Sequence, residues 1–132
     1  MNRATRISEH MTKSPHFVGQ GQSLASAAQR MRAHKIRHLP VLQGGRLVGI
    51  VSDRDVALVE GLSSVDPAEV TVEEVMFPEP YCVAPDASLL EVVQEMERHK
   101  FGSVVVMSGT DVVGIFTTTD ALRLLGRAID VT

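Results

Sequence analysis

Apolar residues recur at i, i+3, i+4 and i+7 in two stretches of the chain: Leu24, Ala27, Ala28 and Met31, then Leu89, Val92, Val93 and Met96. That spacing puts one apolar face on an α-helix. Ser23 and Ser88 stand at the N-cap position of each helix, and Ser88 with Glu91 makes an S-x-x-E capping box. After each helix the period changes. Short β-rich runs follow at His38 to Leu42 and Leu47 to Val51, then at Ser103 to Met107 and Val112 to Phe116. The intervening Gln43-Gly44-Gly45-Arg46 and Ser108-Gly109-Thr110-Asp111 predict hairpins with Gly-containing loops. A second helix is expected after each hairpin, over Asp53 to Glu60 and Thr118 to Leu125, with Gly61 and Gly126 as C-caps. One short strand is expected upstream in each half, at His16 to Val18 and Tyr81 to Val83.

The two patterns are one pattern written twice. Sliding the chain against itself by 65 positions without a gap gives 17 identities in the 55 pairs from residue 7 to 61, among them Met11/Met76, Ser23-Leu24/Ser88-Leu89, Val48-Gly49-Ile50/Val113-Gly114-Ile115 and Asp55/Asp120. Chance gives about three or four at ordinary residue frequencies. The repeats divide as 1–65, the first with an N-terminal segment, and 66–132, with Leu62 to Ala68 as the connector. A unit of about 55 residues buries too little surface to be secure alone, so the expected α/β fold is two pseudo-symmetric strand-helix-strand-strand-helix repeats packed through their sheets.

Each hairpin runs into a hydroxyl-x-x-carboxylate element, Ser52 to Asp55 and Thr117 to Asp120. Such a box caps a helix, with the hydroxyl on the N3 amide and the carboxylate bonding back. The same groups suit a nucleotide: free amides and a hydroxyl for phosphate, a carboxylate for ribose hydroxyls. No G-x-x-x-x-G-K-[ST] loop or G-x-G-x-x-G fingerprint is present, and Gly19-Gln20-Gly21 reads as a turn.

Composition supports a globular chain of 132 residues, 44% hydrophobic and 22% charged, with ten Gly and six Pro. The net charge of −3 hides an asymmetry. Residues 1–65 carry nine Lys and Arg against four Asp and Glu, while residues 66–132 carry four against twelve. Without an overall basic surplus or any Trp, nucleic acid is not an expected partner. No apolar run reaches membrane-spanning length, and Met1 to Arg6 lead into Glu9 and His10 rather than a signal core, so a cytoplasmic protein without a membrane partner is expected. The single Cys82 agrees with a reducing compartment and excludes an internal disulfide or a cysteine-cluster metal site. His34 and His38 are separated by a helix end, so no shared metal site is expected. No Ser/His/Asp or Cys/His set assembles by spacing, and no catalytic residues or catalytic cofactor are expected.

The halves resemble a pair of CBS domains, the regulatory repeats named after cystathionine β-synthase. The resemblance lies in Ile7-Ser8-Glu9-His10-Met11-Thr12, Ile36-Arg37-His38-Leu39-Pro40-Val41 and Leu47-Val48-Gly49-Ile50-Val51-Ser52-Asp53-Arg54-Asp55. The second copy carries Val72 to Met76, Gly102 to Val106 and Val113 to Asp120. It covers nearly the whole chain. It implies a stand-alone regulatory pair (Bateman module) binding an adenosine nucleotide, AMP, ADP, ATP, NAD or S-adenosylmethionine, in clefts between the repeats and signalling to a protein partner or a homodimer interface. By the same resemblance Asp55 and Asp120 hold ribose hydroxyls, Ser52 and Thr117 bind phosphate, and Arg37 and His38 supply positive groups. Phe17, Val18, Cys82 and Val83 would flank adenine. The second copy has Gly102-Ser103 where the first has Arg37-His38, so unequal occupancy is expected. The alternative reading is a ligand-independent dimerisation module whose boxes only cap helices.

Overall fold

The computed structural model describes residues 4–130; Met1 to Arg3, part of the segment read as lacking a signal core, lie outside the described residues. In chain order the regular elements are β1 (Thr12–Lys13), β2 (Val18–Gly19), α1 (Leu24–His34), β3 (His38–Gln43), β4 (Arg46–Ser52) and α2 (Asp53–Glu60). They continue with α3 (Val72–Val75), β5 (Cys82–Val83), α4 (Leu89–His99), β6 (Ser103–Ser108), β7 (Asp111–Thr117) and α5 (Thr118–Asp130). The α/β class and the duplicated strand-helix-strand-strand-helix order are as expected.

The compact units divide the chain at 15/16 and 80/81, not at the 65/66 boundary of the sequence duplication. One unit is His16–Pro80; the other joins the residues before His16 to those from Tyr81 onward. Backbone hydrogen bonds explain this division. In the first unit Leu24 N donates to Val70 O at 2.8 Å and Val72 N to Gln22 O at 2.9 Å. In the second, Leu89 N donates to Thr5 O and Ile7 N to Ala87 O, both at 2.9 Å. The segment that leads into each repeat therefore docks on the helix start of the other repeat's compact unit.

The unit His16–Pro80 carries a three-stranded sheet of order β2-β3-β4, with β2 parallel and β4 antiparallel to β3. Its core gathers Val18, Leu24, Ala27, Ala28, Met31, Leu39, Val41 and Val51 with Val56 and Val59 of α2. The other unit carries a four-stranded sheet of order β1-β7-β6-β5 around Ile7, Leu89, Val92, Met96, Val104, Val106 and Phe116. The apolar stripes read from the sequence are the buried helix faces, except that Val93 is only half-buried.

Both hairpins close tighter than their four-residue loops suggested. Gly44 and Gly45 alone connect β3 to β4, at φ +57° and +80°, the double positive φ of a type I′ turn. Pro40 in β3 has no N–H, whereas Val105, its counterpart in β6, donates to Tyr81 O at 2.9 Å. The loss is offset at the next residues: Gln20 N donates to Leu42 O at 3.0 Å, where its counterpart Pro85 has no N–H.

Gly61 is the C-cap of α2 as expected, with φ −77°. Two expectations need correction. The Ser88 box is half formed: Glu91 N donates to Ser88 Oγ at 3.3 Å, without the reciprocal bond. Gly126 is no cap, because α5 runs through it to Asp130; the Leu122, Leu125 and Ile129 stripe carries the helical period past the glycine. Among the described residues, no helix is long and apolar enough to cross a membrane.

Candidate functional site

The end of β4 and the start of α2 form a closed box. Ser52 is the N-cap in extended conformation, and Asp55 Oδ2 accepts from its backbone N–H at 2.8 Å and from its hydroxyl at 3.0 Å. Asp55 N donates back to Ser52 Oγ at 3.3 Å. At the end of β7, Asp120 Oδ2 accepts from Thr117 N at 2.9 Å and Oγ1 at 3.1 Å, and Asp120 N donates to Thr117 Oγ1 at 3.3 Å. The caps allowed by the pattern are therefore fully made, and each still places a hydroxyl, a carboxylate and helix-start amides at one sheet edge.

The hairpin register brings the neighbouring residues to the same edge. His38 is the antiparallel partner of Ser52, and Ser103 of Thr117. Asp53 N donates to Arg37 O at 2.9 Å, matched by Thr118 N on Gly102 O at 3.1 Å. The sequence reading placed Arg37 and His38 just before a strand; their position across the ladder from the hydroxyl appears only once the pairing is known. Phe17 precedes β2 on the far side of β3, about 10 Å away at ordinary strand spacing, and is half exposed. Val18 is fully buried in the core, so only its backbone faces the sheet edge. Cys82 and Val83 occupy the equivalent edge strand in the other unit, pairing with Val105 and Val106. Burial pushes the Cys82 thiol above its ordinary value, leaving it protonated and weakly nucleophilic.

Electrostatics separate the two basic residues. Arg37 is 74% exposed and only loosely paired with Asp53 at 3.9 Å. His38 is held below the ordinary imidazole value of 6.5, chiefly by burial and also by Arg37, against the opposing pull of Asp53 and Asp55. At neutral pH His38 is therefore an uncharged donor and acceptor, not the positive group expected of it, and Arg37 carries the charge at this corner. The second unit has neither residue. Instead Arg123, which sequence reasoning passed over, donates from Nη1 to Asp120 Oδ1 at 2.9 Å. Its i, i+3 spacing from Asp120 was a readable signal.

A groove of about 410 Å³ lies between α1 and α2, floored by Met31, Ile36 and Val56 and rimmed by Arg32, Lys35 and Arg37. Of the candidate residues it touches only Arg37, so it is not the box at the β4 end. His34 stacks on His16 with ring centroids 3.6 Å apart, and among the described residues no three His, Cys, Asp or Glu converge as metal ligands.

The CBS domain family model matches residues 7–60 and 72–127. Hypoxic response protein 1 of Mycobacterium tuberculosis is 37% identical over 109 residues, covering 82% of this chain and 76% of that one. A Vibrio cholerae protein provisionally named for acetoin utilization (AcuB) is similar at TM-score 0.84 and 32% identity, over 96% of this chain and 93% of its own. A CBS domain pair crystallised with 5′-methylthioadenosine and S-adenosyl-L-methionine is similar at TM-score 0.85 and 28% identity, over 95% of this chain and 98% of its own.

Proposed function

The chain belongs to the CBS domain family, and from that premise we propose that it is a non-catalytic, cytoplasmic regulatory module that binds an adenosine-containing ligand: AMP, ADP, ATP, NAD or S-adenosylmethionine. The observation that carries this reading is the box at each β-strand end. Hydroxyl, helix-start amides and carboxylate converge there, with His38 across the ladder from Ser52. The similar pair with two adenosine ligands bound supports the ligand class.

The roles follow from the chemistry of each group. Asp55 and Asp120 accept from ribose hydroxyls, while Ser52 and Thr117 with the adjoining amides donate to phosphate. Arg37 adds the positive charge, and neutral His38 adds a hydrogen bond. Phe17 and Val18 in one unit, and Cys82 and Val83 in the other, flank the adenine. Ligand binding shifts the population toward the conformation that binds better, and a protein partner or a homodimer interface reads that shift. Titration calorimetry with the five ligands tests the reading: heat is expected for at least one, and is reduced by Asp55→Ala. No heat with any of them overturns it.

A second reading is favoured by the outward face of α5, where Leu122, Leu125 and Ile129 are all more than half exposed at i, i+3 and i+7. A ligand-independent dimerisation module would present such a stripe, and its boxes would only cap helices. A melting temperature that rises with nucleotide supports the first reading; one that responds only to protein concentration and salt supports the second.

A further inference from the structure

The two carboxylates that the repeat makes equivalent in sequence are not equivalent as acceptors. An ionised carboxylate offers about four lone-pair sites. Both hydrogen bonds that Asp55 accepts among the described residues come from Ser52 and fall on Oδ2, which leaves Oδ1 open. Asp120 has the same two bonds on Oδ2 from Thr117, and its Oδ1 is taken by Arg123 Nη1 at 2.9 Å. Asp120 is also the buried one, its side chain 8% exposed, while the Arg123 side chain is 54% exposed and anchored one turn further along α5. At the matching position in the first repeat stands Leu58, which cannot donate a side-chain hydrogen bond.

A ribose edge presents two adjacent hydroxyl donors. At Asp55 they meet an open oxygen; at Asp120 they meet one already closed by a guanidinium. We propose that Arg123 is an autoinhibitory latch on the second half-site, so that a ribose-bearing ligand occupies the Asp55 half-site first and reaches Asp120 only by displacing Arg123. This rests on the nucleotide reading above. It goes further in assigning the difference between the half-sites to a residue that acts on the carboxylate itself, in addition to the absence of Arg37 and His38 counterparts. The latch is held by one exposed guanidinium, a contact small enough for a ligand to break.

The test isolates the second half-site in the full-length chain by adding Asp55→Ala, then compares Arg123 with Arg123→Leu, which copies Leu58. Arg123→Gln serves as a second variant that keeps a polar side chain, and melting curves check folding. Adenosine and AMP are titrated, with the amide resonances of Thr117 to Asp120 as the local readout. Removing Arg123 is expected to tighten binding at these resonances by about three- to tenfold, the scale of one half-exposed charge-assisted contact. Binding by the parent chain that responds to Asp55→Ala, with no gain or a loss on removing Arg123, overturns the latch and leaves the nucleotide reading standing. Absence of binding by every protein overturns both.

Discussion

Asp55 Oδ2 takes both the backbone N–H and the hydroxyl of Ser52, at 2.8 and 3.0 Å, so a single carboxylate oxygen holds the start of α2. The residue offered as a ribose acceptor is thus also the residue that secures its helix. Asp55→Ala is expected to lower unfolding stability by about 0.5–2 kcal/mol, the usual worth of an N-terminal cap, in addition to weakening ligand binding. Asp55→Asn keeps an acceptor oxygen for Ser52 and separates the effects: most of the stability should survive. Urea unfolding measures the first effect and calorimetry the second. An Asp55→Ala protein as stable as the parent would contradict the capping geometry.

Gly49 and Gly114 lie under methionines that the repeat also relates, Met76 and Met11. A Cβ on Gly49 would stand 2.6 Å from Met76 Sδ and 2.9 Å from Phe77 O; on Gly114 its three nearest atoms would all belong to the Met11 side chain. A thioether can swing aside, but the Phe77 carbonyl is fixed by its bond from Ile50 N at 3.0 Å. Gly49→Ala is therefore expected to cost about 1–3 kcal/mol and Gly114→Ala less. Adding Met11→Ala should recover part of the Gly114→Ala loss, while Met76→Ala should not rescue Gly49→Ala fully. Equal losses at the two glycines, measured by thermal or urea unfolding, would show that the carbonyl yields.

His38 makes stability depend on pH. Its value in the folded protein is lowered by burial from 6.5, so the unfolded chain binds more protons in the interval below 6.5. Stability contributed by the neutral imidazole is present above that value and is lost as pH falls through the interval. His38→Gln should flatten the pH dependence of the urea midpoint between about 5 and 7. An anionic ligand beside His38 opposes the shift, so nucleotide binding near pH 6 should be accompanied by proton uptake, readable as a buffer-dependent heat. A parent and a variant with parallel pH profiles would place the imidazole in solvent.

Local patterns carried most of the fold because their physics is local. The α1 and α4 stripes, the Ser52 and Thr117 boxes and the positive-φ glycines between strands each depend on neighbours within a few residues. The docking of Ile7 on Ala87 and of Val72 on Gln22 joins backbone groups far apart in sequence, with no side-chain pattern to announce it. The neutral state of His38 is likewise a consequence of burial, invisible in a string where it stands beside Arg37. Arg123 was different: its spacing from Asp120 was readable, but Asp120 had been considered as a partner for the Thr117 cap and for a ligand, not for a side chain one turn further along its helix.

Gly126 shows the same limit from the other side, and it yields a sharp test. A glycine ending an apolar period reads as a C-cap, where an L side chain in left-handed conformation would be strained. In α5 it lies inside the helix, without a positive φ, and a Cβ there would meet nothing within 4 Å. Alanine at such a site reduces the freedom of the unfolded chain and adds no clash. Gly126→Ala is expected to raise stability by about 0.5–1 kcal/mol. The opposite sign is expected at Gly45, whose φ of +80° alanine adopts only with strain. Thermal unfolding of the two variants beside the parent decides the matter: a destabilised Gly126→Ala would mean that α5 ends where the sequence pattern alone would stop it.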